Sequence, residues 1–361
     1  MIKEKLEDLK VPSPLNISGE RVRTVEEWEK VRPLVEETML RSEYGYIPEK
    51  PEKVFFDIKE TDSRHCCAGK ATQILLEIIS VINGEKFAFP VTYIFPNSGC
   101  KFKTVVHINF RPNVPDKYMP TEEIIDNGFA CASFCYYDVT SDDNDFTNGL
   151  AGIIYKNCRR SLYSPGKIAM WAWAAMRVMD FLQTRDEVDK DNIAVAGHSR
   201  LGKTALLTAA MDKRFAVAHS NCAGCSGDSL NRGKIPGNEK IGDILDRFDF
   251  WFCENYKSFA GMDDETPFDQ HFLFALIAPR RVHIASAAND VWAGPQLEFL
   301  CCAAASEVYE LYGKKGFVYE EDDFLKTGKY LNEGNIGLCL REGNHYFSRE
   351  DWHGLMDFLN R

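Results

Sequence analysis

From Thr104 to the C-terminus, short apolar runs alternate with stretches of helical periodicity, a rhythm that leaves few folds open to the chain. The runs cover 104–110, 130–136, 192–196, 216–221, 281–287 and 337–341; the helical stretches cover 166–184, 202–211, 296–312 and 348–359. Several of these runs, such as 130–136 and 192–196, are apolar at nearly every residue, not at every second one. A strand of that kind must bury both faces, so the pattern predicts an α/β, doubly wound fold with helices on both sides of a mostly parallel sheet. Ahead of it, residues 24–41 carry Val25, Trp28, Val31, Leu34 and Val35 at helical spacing. Three β-like runs at 54–58, 71–82 and 87–95 then predict an antiparallel section at the N-terminal side of the sheet.

A length of 361 residues allows two domains, but no linker, repeat or composition break divides the chain, so one domain spanning 1–361 is expected. Two polar stretches, 138–165 and 227–270, exceed ordinary loop lengths and are expected to form lid-like insertions or a pocket wall. The most hydrophobic helical stretch, 168–182, contains Arg177 and Asp180, so no membrane partner is expected. Residues 1–10 show no apolar segment after their charges, which reads as a cytoplasmic protein, or as a secreted one from which a leader was trimmed. A net charge of −11 opposes binding to a phosphate backbone, so no nucleic-acid partner is expected either. The 12 cysteines are scattered, with adjacent pairs at Cys66/Cys67 and Cys301/Cys302, and read as reduced small hydrophobes. The Cys-x-x-Cys at Cys222 and Cys225 lacks a second ligand pair, so no metal and no cofactor is expected. Oligomeric state is left open.

One segment supports two chemistries. Residues 192–207 read as strand, tight turn and helix, and Gly197-x4-Gly202-Lys203-Thr204 satisfies the phosphate-loop pattern, in which backbone N–H groups cradle phosphates. Such a loop ordinarily follows the first strand of its sheet, whereas several strands precede this one. The other reading is a nucleophile elbow, with Ser199 on a strained turn that lifts its hydroxyl above the sheet. Gly197-His198-Ser199 supplies half of that pattern, but Leu201 stands where the second glycine belongs and Gly202 follows it.

Downstream residues favour the elbow. Strand 282–287 leads to Asp290, and strand 336–341 leads to Gly343-Asn344-His345, so an acid and a histidine follow the serine in the order that α/β-hydrolases use. In this reading His345 takes the Ser199 proton and returns it to the leaving alcohol, while Asp290 fixes the imidazole tautomer. The Arg200 N–H and the turn Asn109-Phe110-Arg111 are the expected sources of oxyanion donors.

With those residues in place the sequence resembles the glucuronoyl esterases, carbohydrate esterases of the α/β-hydrolase superfamily. Gly197-His-Ser-Arg-Leu-Gly-Lys203 is similar to the bacterial form of that family's elbow, which accounts for the displaced glycine. Further similar stretches are 124–130, 169–173, 267–271, 276–280, 285–292 and 351–352, together spanning roughly residues 25 to 360. The resemblance implies a three-layer α/β-hydrolase sandwich and hydrolysis of (4-O-methyl-)glucuronoyl esters of xylan-derived saccharides. It further implies that the Arg200 side chain assists the oxyanion and that Lys203, Glu239 and Trp292 hold the uronate. Many members take their acid from the strand after the elbow helix, where this chain has Cys222; others use an aspartate two residues before the tryptophan, as in Asp290-Val-Trp292. Asp290 is therefore assigned, with Asp228 and Glu298 as outside candidates. An acetyl xylan esterase or another carbohydrate carboxylesterase using the same triad is the alternative. A sugar-binding module with an idle triad, a nucleotide-binding protein and a peptidase are the remaining readings.

Overall fold

The apolar runs assemble into one ten-stranded sheet in the order β1-β2-β3-β5-β4-β6-β7-β8-β10-β9. The structure is a computed structural model that describes residues 1–17 and 19–361. Its strands are β1 (Lys53–Asp62), β2 (Ala71–Ile82), β3 (Glu85–Pro96), β4 (Phe102–Asn109), β5 (Ala130–Cys135), β6 (Val188–His198), β7 (Val217–Asn221), β8 (Arg281–Ala287), β9 (Lys329–Leu331) and β10 (Ile336–Arg341). The helices are α1 (Ile2–Asp8), α2 (Val25–Met39), α3 (Thr121–Asp126), α4 (Gly149–Ile154), α5 (Lys167–Leu182), α6 (Arg200–Met211), α7 (Ile241–Phe248), α8 (His271–Ile277), α9 (Pro295–Leu311) and α10 (Arg349–Asn360).

The strands from β5 to β10 pair in parallel, while β1, β2 and β3 run antiparallel to their neighbours, as the N-terminal runs predict. Period-two alternation divides the central strands between two cores. Val106, Ile108, Ile193 and Val195 face the layer that contains α5, α6 and α9, whereas Val105, Ala194 and Ala196 face α3 and α10. On α5 every residue except Asp180 is buried, as befits a helix apolar on all sides. Among the described residues no helix is long and apolar enough to cross a membrane.

Chain order reverses at β4, which has β5 on one side and β6 on the other, so the C-terminal strand ends open onto a topological switch point. Several features differ from the sequence expectation, among them the short helices α1, α3, α4 and α8. Strand β6 begins four residues early, because Val188 pairs with Phe102 across a register shift that polar residues 189–192 hide. Strand β9 is a three-residue antiparallel edge, too short to show a period. The stretch 227–270 is not a plain loop: it holds α7 and 3-10 turns at Asp249–Trp251 and Glu254–Phe259.

Candidate active site

Backbone pairing beyond the strand ends brings the distant segments together. Ala288 and Asn289 donate to the carbonyls of Arg341 and Gly343, both at 2.9 Å, continuing the β8–β10 ladder past its last strand residues. Asp290 and His345, 55 positions apart in sequence, are thereby joined by a 2.6 Å hydrogen bond between the Asp290 carboxylate and His345 Nδ1. Asp290 is buried and the His345 side chain is 43% exposed, so one end of the imidazole is anchored and the other is open. His198, pressed on the His345 ring with centroids 4.4 Å apart, is held by Asn221 Oδ1 at 2.5 Å. Burial, and then the neighbouring His345, push His198 down to about 3, so it packs there as a neutral ring.

Ser199 is the turn between β6 and α6, with φ 57° and ψ −128°. A Cβ-bearing residue pays for that conformation in strain, which places the hydroxyl at the head of the helix. Two glycines make the turn sterically feasible: a Cβ on Gly197 would collide with the Leu201 carbonyl, and one on Gly202 would sit 2.6 Å from Ser220 Oγ. The second close approach therefore falls at residue 202, not 201, which is why Leu201 is tolerated. Ser199→Gly is expected to raise stability by about 1 kcal/mol through relief of this strain, read as a higher urea midpoint. An unchanged midpoint would mean that the turn stores no strain.

Ser199, Asp290 and His345 line one cavity of about 340 Å³ with Arg200, Lys203, Cys222, Glu239, Phe248, Trp251 and Trp292. The Ser199 hydroxyl has no hydrogen-bond partner among the described residues and faces this space together with the His345 ring. Lys203 is buried, with Nζ donating to the carbonyls of Ala223 (2.5 Å) and Cys225 and lying 3.9 Å from the Glu239 carboxylate. Glu239 is tied to the opposite wall because its N–H donates to the Trp292 carbonyl at 2.9 Å. The Trp292 side chain is 39% exposed, so its ring is a wall and not core, with the Arg247 guanidinium 5.3 Å from its centroid. The Arg200 guanidinium binds Asp142 and lies 4.6 Å from the centroid of Trp251, which stacks on Phe248 at 4.1 Å.

The sequence profile described as "Glucuronyl esterase, fungi" matches residues 79–313, about two-thirds of the chain. The chain belongs to the glucuronyl esterase family. It is similar to a carbohydrate esterase from an unknown prokaryotic organism, 29% identical over 97% of this chain and 89% of that one. It also resembles 4-O-methyl-glucuronoyl methylesterase 1 of Wolfiporia cocos, 26% identical over 89% of this chain and 76% of that one. Among solved structures, a promiscuous CE15 esterase from a marine bacterial metagenome superposes with TM-score 0.87 at 28% identity, covering 97% and 96% of the two chains. A glucuronoyl esterase from Solibacter usitatus gives TM-score 0.86 at 26% identity, covering 97% of each. The protein is thus a carboxylic ester hydrolase with an α/β-hydrolase fold.

Two of the esterase's other acids stand elsewhere. Asp228 is fully buried and accepts from Ser220 Oγ (2.7 Å) and from the N–H groups of Ala223 (3.1 Å) and Gly224 (2.6 Å), which shapes the loop after β7. Glu298 is buried against Ser286. Burial, with the charge of Asp228 beside it, pushes the Glu298 carboxyl far up, and burial also raises Asp228. Neither acid touches His345. Cys222 Sγ lies with the Asp290 carboxylate and the His345 ring nitrogen inside a 4.8 Å cluster, and burial keeps its thiol protonated.

The phosphate-loop reading fails on geometry, because Lys203 is turned into carbonyls and Thr204 Oγ1 bonds the Arg200 carbonyl at 2.9 Å. The turn 109–111 is also corrected: Arg111 N–H is engaged by Asn109 Oδ1 at 3.4 Å, and none of the three residues lines the cavity. Asp142, Phe248 and Trp251 were not readable as site residues, since they sit in the long polar stretches without a motif.

Behind Lys203, Glu43 is wholly buried and accepts from Gln270 Nε2 at 2.8 Å. Burial lifts its carboxyl from 4.5 to about 7, against the hydrogen bond from Gln270 and the charge of Lys203. The folded value exceeds the unfolded one, so the stability this group gives below pH 4.5 is lost as pH rises to about 7, up to about 3 kcal/mol in all. Glu43→Gln is expected to be more stable than wild type at pH 8 and to lose that advantage at pH 4.5, measured by urea unfolding at both. Equal gaps at the two pH values would show that Glu43 does not titrate in this way.

Proposed function

We propose that this esterase hydrolyses (4-O-methyl-)glucuronoyl esters of xylan-derived saccharides through an acyl-enzyme on Ser199. The observation that carries the reading is the 2.6 Å His345–Asp290 hydrogen bond at the mouth of the cavity headed by the strained Ser199. His345 accepts the Ser199 proton as Oγ attacks the ester carbonyl, and Asp290 holds the tautomer that leaves Nε2 free to do so. The carbonyl oxygen becomes an anion beside the Arg200 N–H, a free donor of the first helical turn, and beside its guanidinium. Collapse expels the alcohol, which takes the proton from His345. Water then enters and gives a proton to His345 as its oxygen bonds the acyl carbon; the acyl–Oγ bond breaks, Ser199 takes the proton back from His345, and the uronic acid leaves.

Lys203 and Glu239 offer a cation and an acceptor to sugar hydroxyls or carboxyl oxygens, and Trp292 offers a flat apolar face to the pyranose. The names of the methylesterase relatives agree with such a substrate. We take residues 1–361 as one α/β-hydrolase unit, in which stretches 138–165 and 227–270 build the cavity wall through Arg200's partner Asp142 and through Glu239, Phe248 and Trp251.

The test compares a methyl glucuronate ester with an acetylated xylo-oligosaccharide and 4-nitrophenyl acetate, with Ser199→Ala as the blank. The expected result is serine-dependent turnover of the glucuronate ester at a kcat/KM about 100-fold above the acetyl sugar, reduced about tenfold by Trp292→Ala. Serine-dependent cleavage of acetyl esters alone would overturn the uronate assignment.

A further inference from the structure

Asp142 lies in the stretch between β5 and α4, with only 9% of its side chain exposed. Its carboxylate gathers donors from three separate elements. Oδ1 accepts from Trp251 Nε1 at 2.7 Å; Oδ2 accepts from the Tyr136 hydroxyl at 2.9 Å and from Arg200 Nη1. Three rings flank the guanidinium: Trp251 at 4.6 Å, Phe248 at 5.5 Å and Phe110 at 5.6 Å. Ring faces hold a guanidinium in place by stacking but do not fix its rotation in its own plane. Only the carboxylate does that, through a charge-assisted bond. Nη2 has no acceptor among the described residues, Nε is buried without one, and the side chain remains 24% exposed where it lines the cavity.

We propose that Asp142 is a positioning residue for catalysis: it turns the Arg200 guanidinium so that its unpartnered Nη2 meets the oxyanion formed beside Ser199. This rests on the reading of Arg200 as an oxyanion donor. A negative charge near a developing anion opposes the reaction, so Asp142 has two effects of opposite sign. Positioning outweighs repulsion here, because the carboxylate is itself shared among three donors and its charge is largely compensated.

The experiment is a double-mutant cycle on the full-length enzyme, with kcat and KM measured on a methyl glucuronate ester. Asp142→Asn keeps the size and an acceptor oxygen while removing the charge. It is expected to lower kcat about 10- to 100-fold with KM changed less than about threefold, and Arg200→Ala is expected to lower kcat further. The double variant is expected to match Arg200→Ala, since a positioning residue has nothing left to position. A wild-type or raised kcat in Asp142→Asn, or losses that multiply in the double variant, would overturn the proposal. Wild-type kcat in Arg200→Ala would instead remove the reading of Arg200, and the proposal with it. If Asp142→Asn does not fold, Tyr136→Phe deletes one donor to the carboxylate: a kcat loss that disappears in the Arg200→Ala background supports the proposal, and its persistence there overturns it.

Discussion

Ser199→Ala is expected to lower kcat on a glucuronate ester about 1,000-fold or more with the melting temperature little changed. On the proposed mechanism the Ser199 hydroxyl, deprotonated by His345, forms the acyl-enzyme, whereas alanine removes it but keeps the Cβ and the packing of the turn. His345→Ala should cost as much, and the double variant no more than either, because the residues act as one unit. Asp290→Asn extends the test to the acid: it should cost about 10⁴-fold by stranding the wrong imidazole tautomer. Asp228→Asn and Glu298→Gln, whose side chains bond Ser220 and Ser286 instead, should leave kcat within about tenfold in the folded fraction. A loss at Glu298 or Asp228 equal to that at Asp290 would transfer the acid role away from Asp290.

A second large effect is expected at Arg341, at the end of β10. Its buried guanidinium reaches both Asp351 oxygens from Nε, at 3.0 and 2.9 Å, and binds the carbonyls of Glu342 (2.9 Å), Asn344 (3.2 Å) and Tyr346. It thus clamps the loop that presents His345 to the capping residue of α10, where Asp351 also receives Ser348 N–H at 2.7 Å. Arg341→Met leaves a carboxylate and three carbonyls without their donor and is expected to destabilise the fold by about 3–5 kcal/mol. Arg341→Met with Asp351→Asn removes the stranded charge, so much of that stability should return. Activity should not return, because the loop carbonyls stay loose and a displacement of about 1 Å at the imidazole costs on the order of 100-fold. Urea unfolding and kcat measured on both variants separate the two effects. Full recovery of kcat in the double variant would show that the clamp serves stability alone.

The α/β layering was legible because buried strands and helices leave different periods in the chain, and β4, β5, β6, β8 and β10 are long enough to show them. That Ser199, Asp290 and His345 emerge near strand ends was legible as well, since each follows an apolar run by a few residues, and the structure brings the three to one cavity. Sequence periodicity did not reach β9 or α7, which are short or set inside polar stretches. Periodicity alone did not choose among Asp228, Asp290 and Glu298; the assignment of Asp290 came from the resemblance, through Asp290-Val-Trp292.

The chain itself determined on which side of the sheet Ser199, Asp290 and His345 emerge, through local spacing and the glycines at 197 and 202. Tertiary structure decided the pairings. His345 meets Asp290 because the β8–β10 ladder continues past the strand ends, and Arg200 meets Asp142, Trp251 and Phe248 because three distant loops fold over one helix start. Such contacts depend on register and loop path, which arise from burial summed over the whole core and leave no local signature.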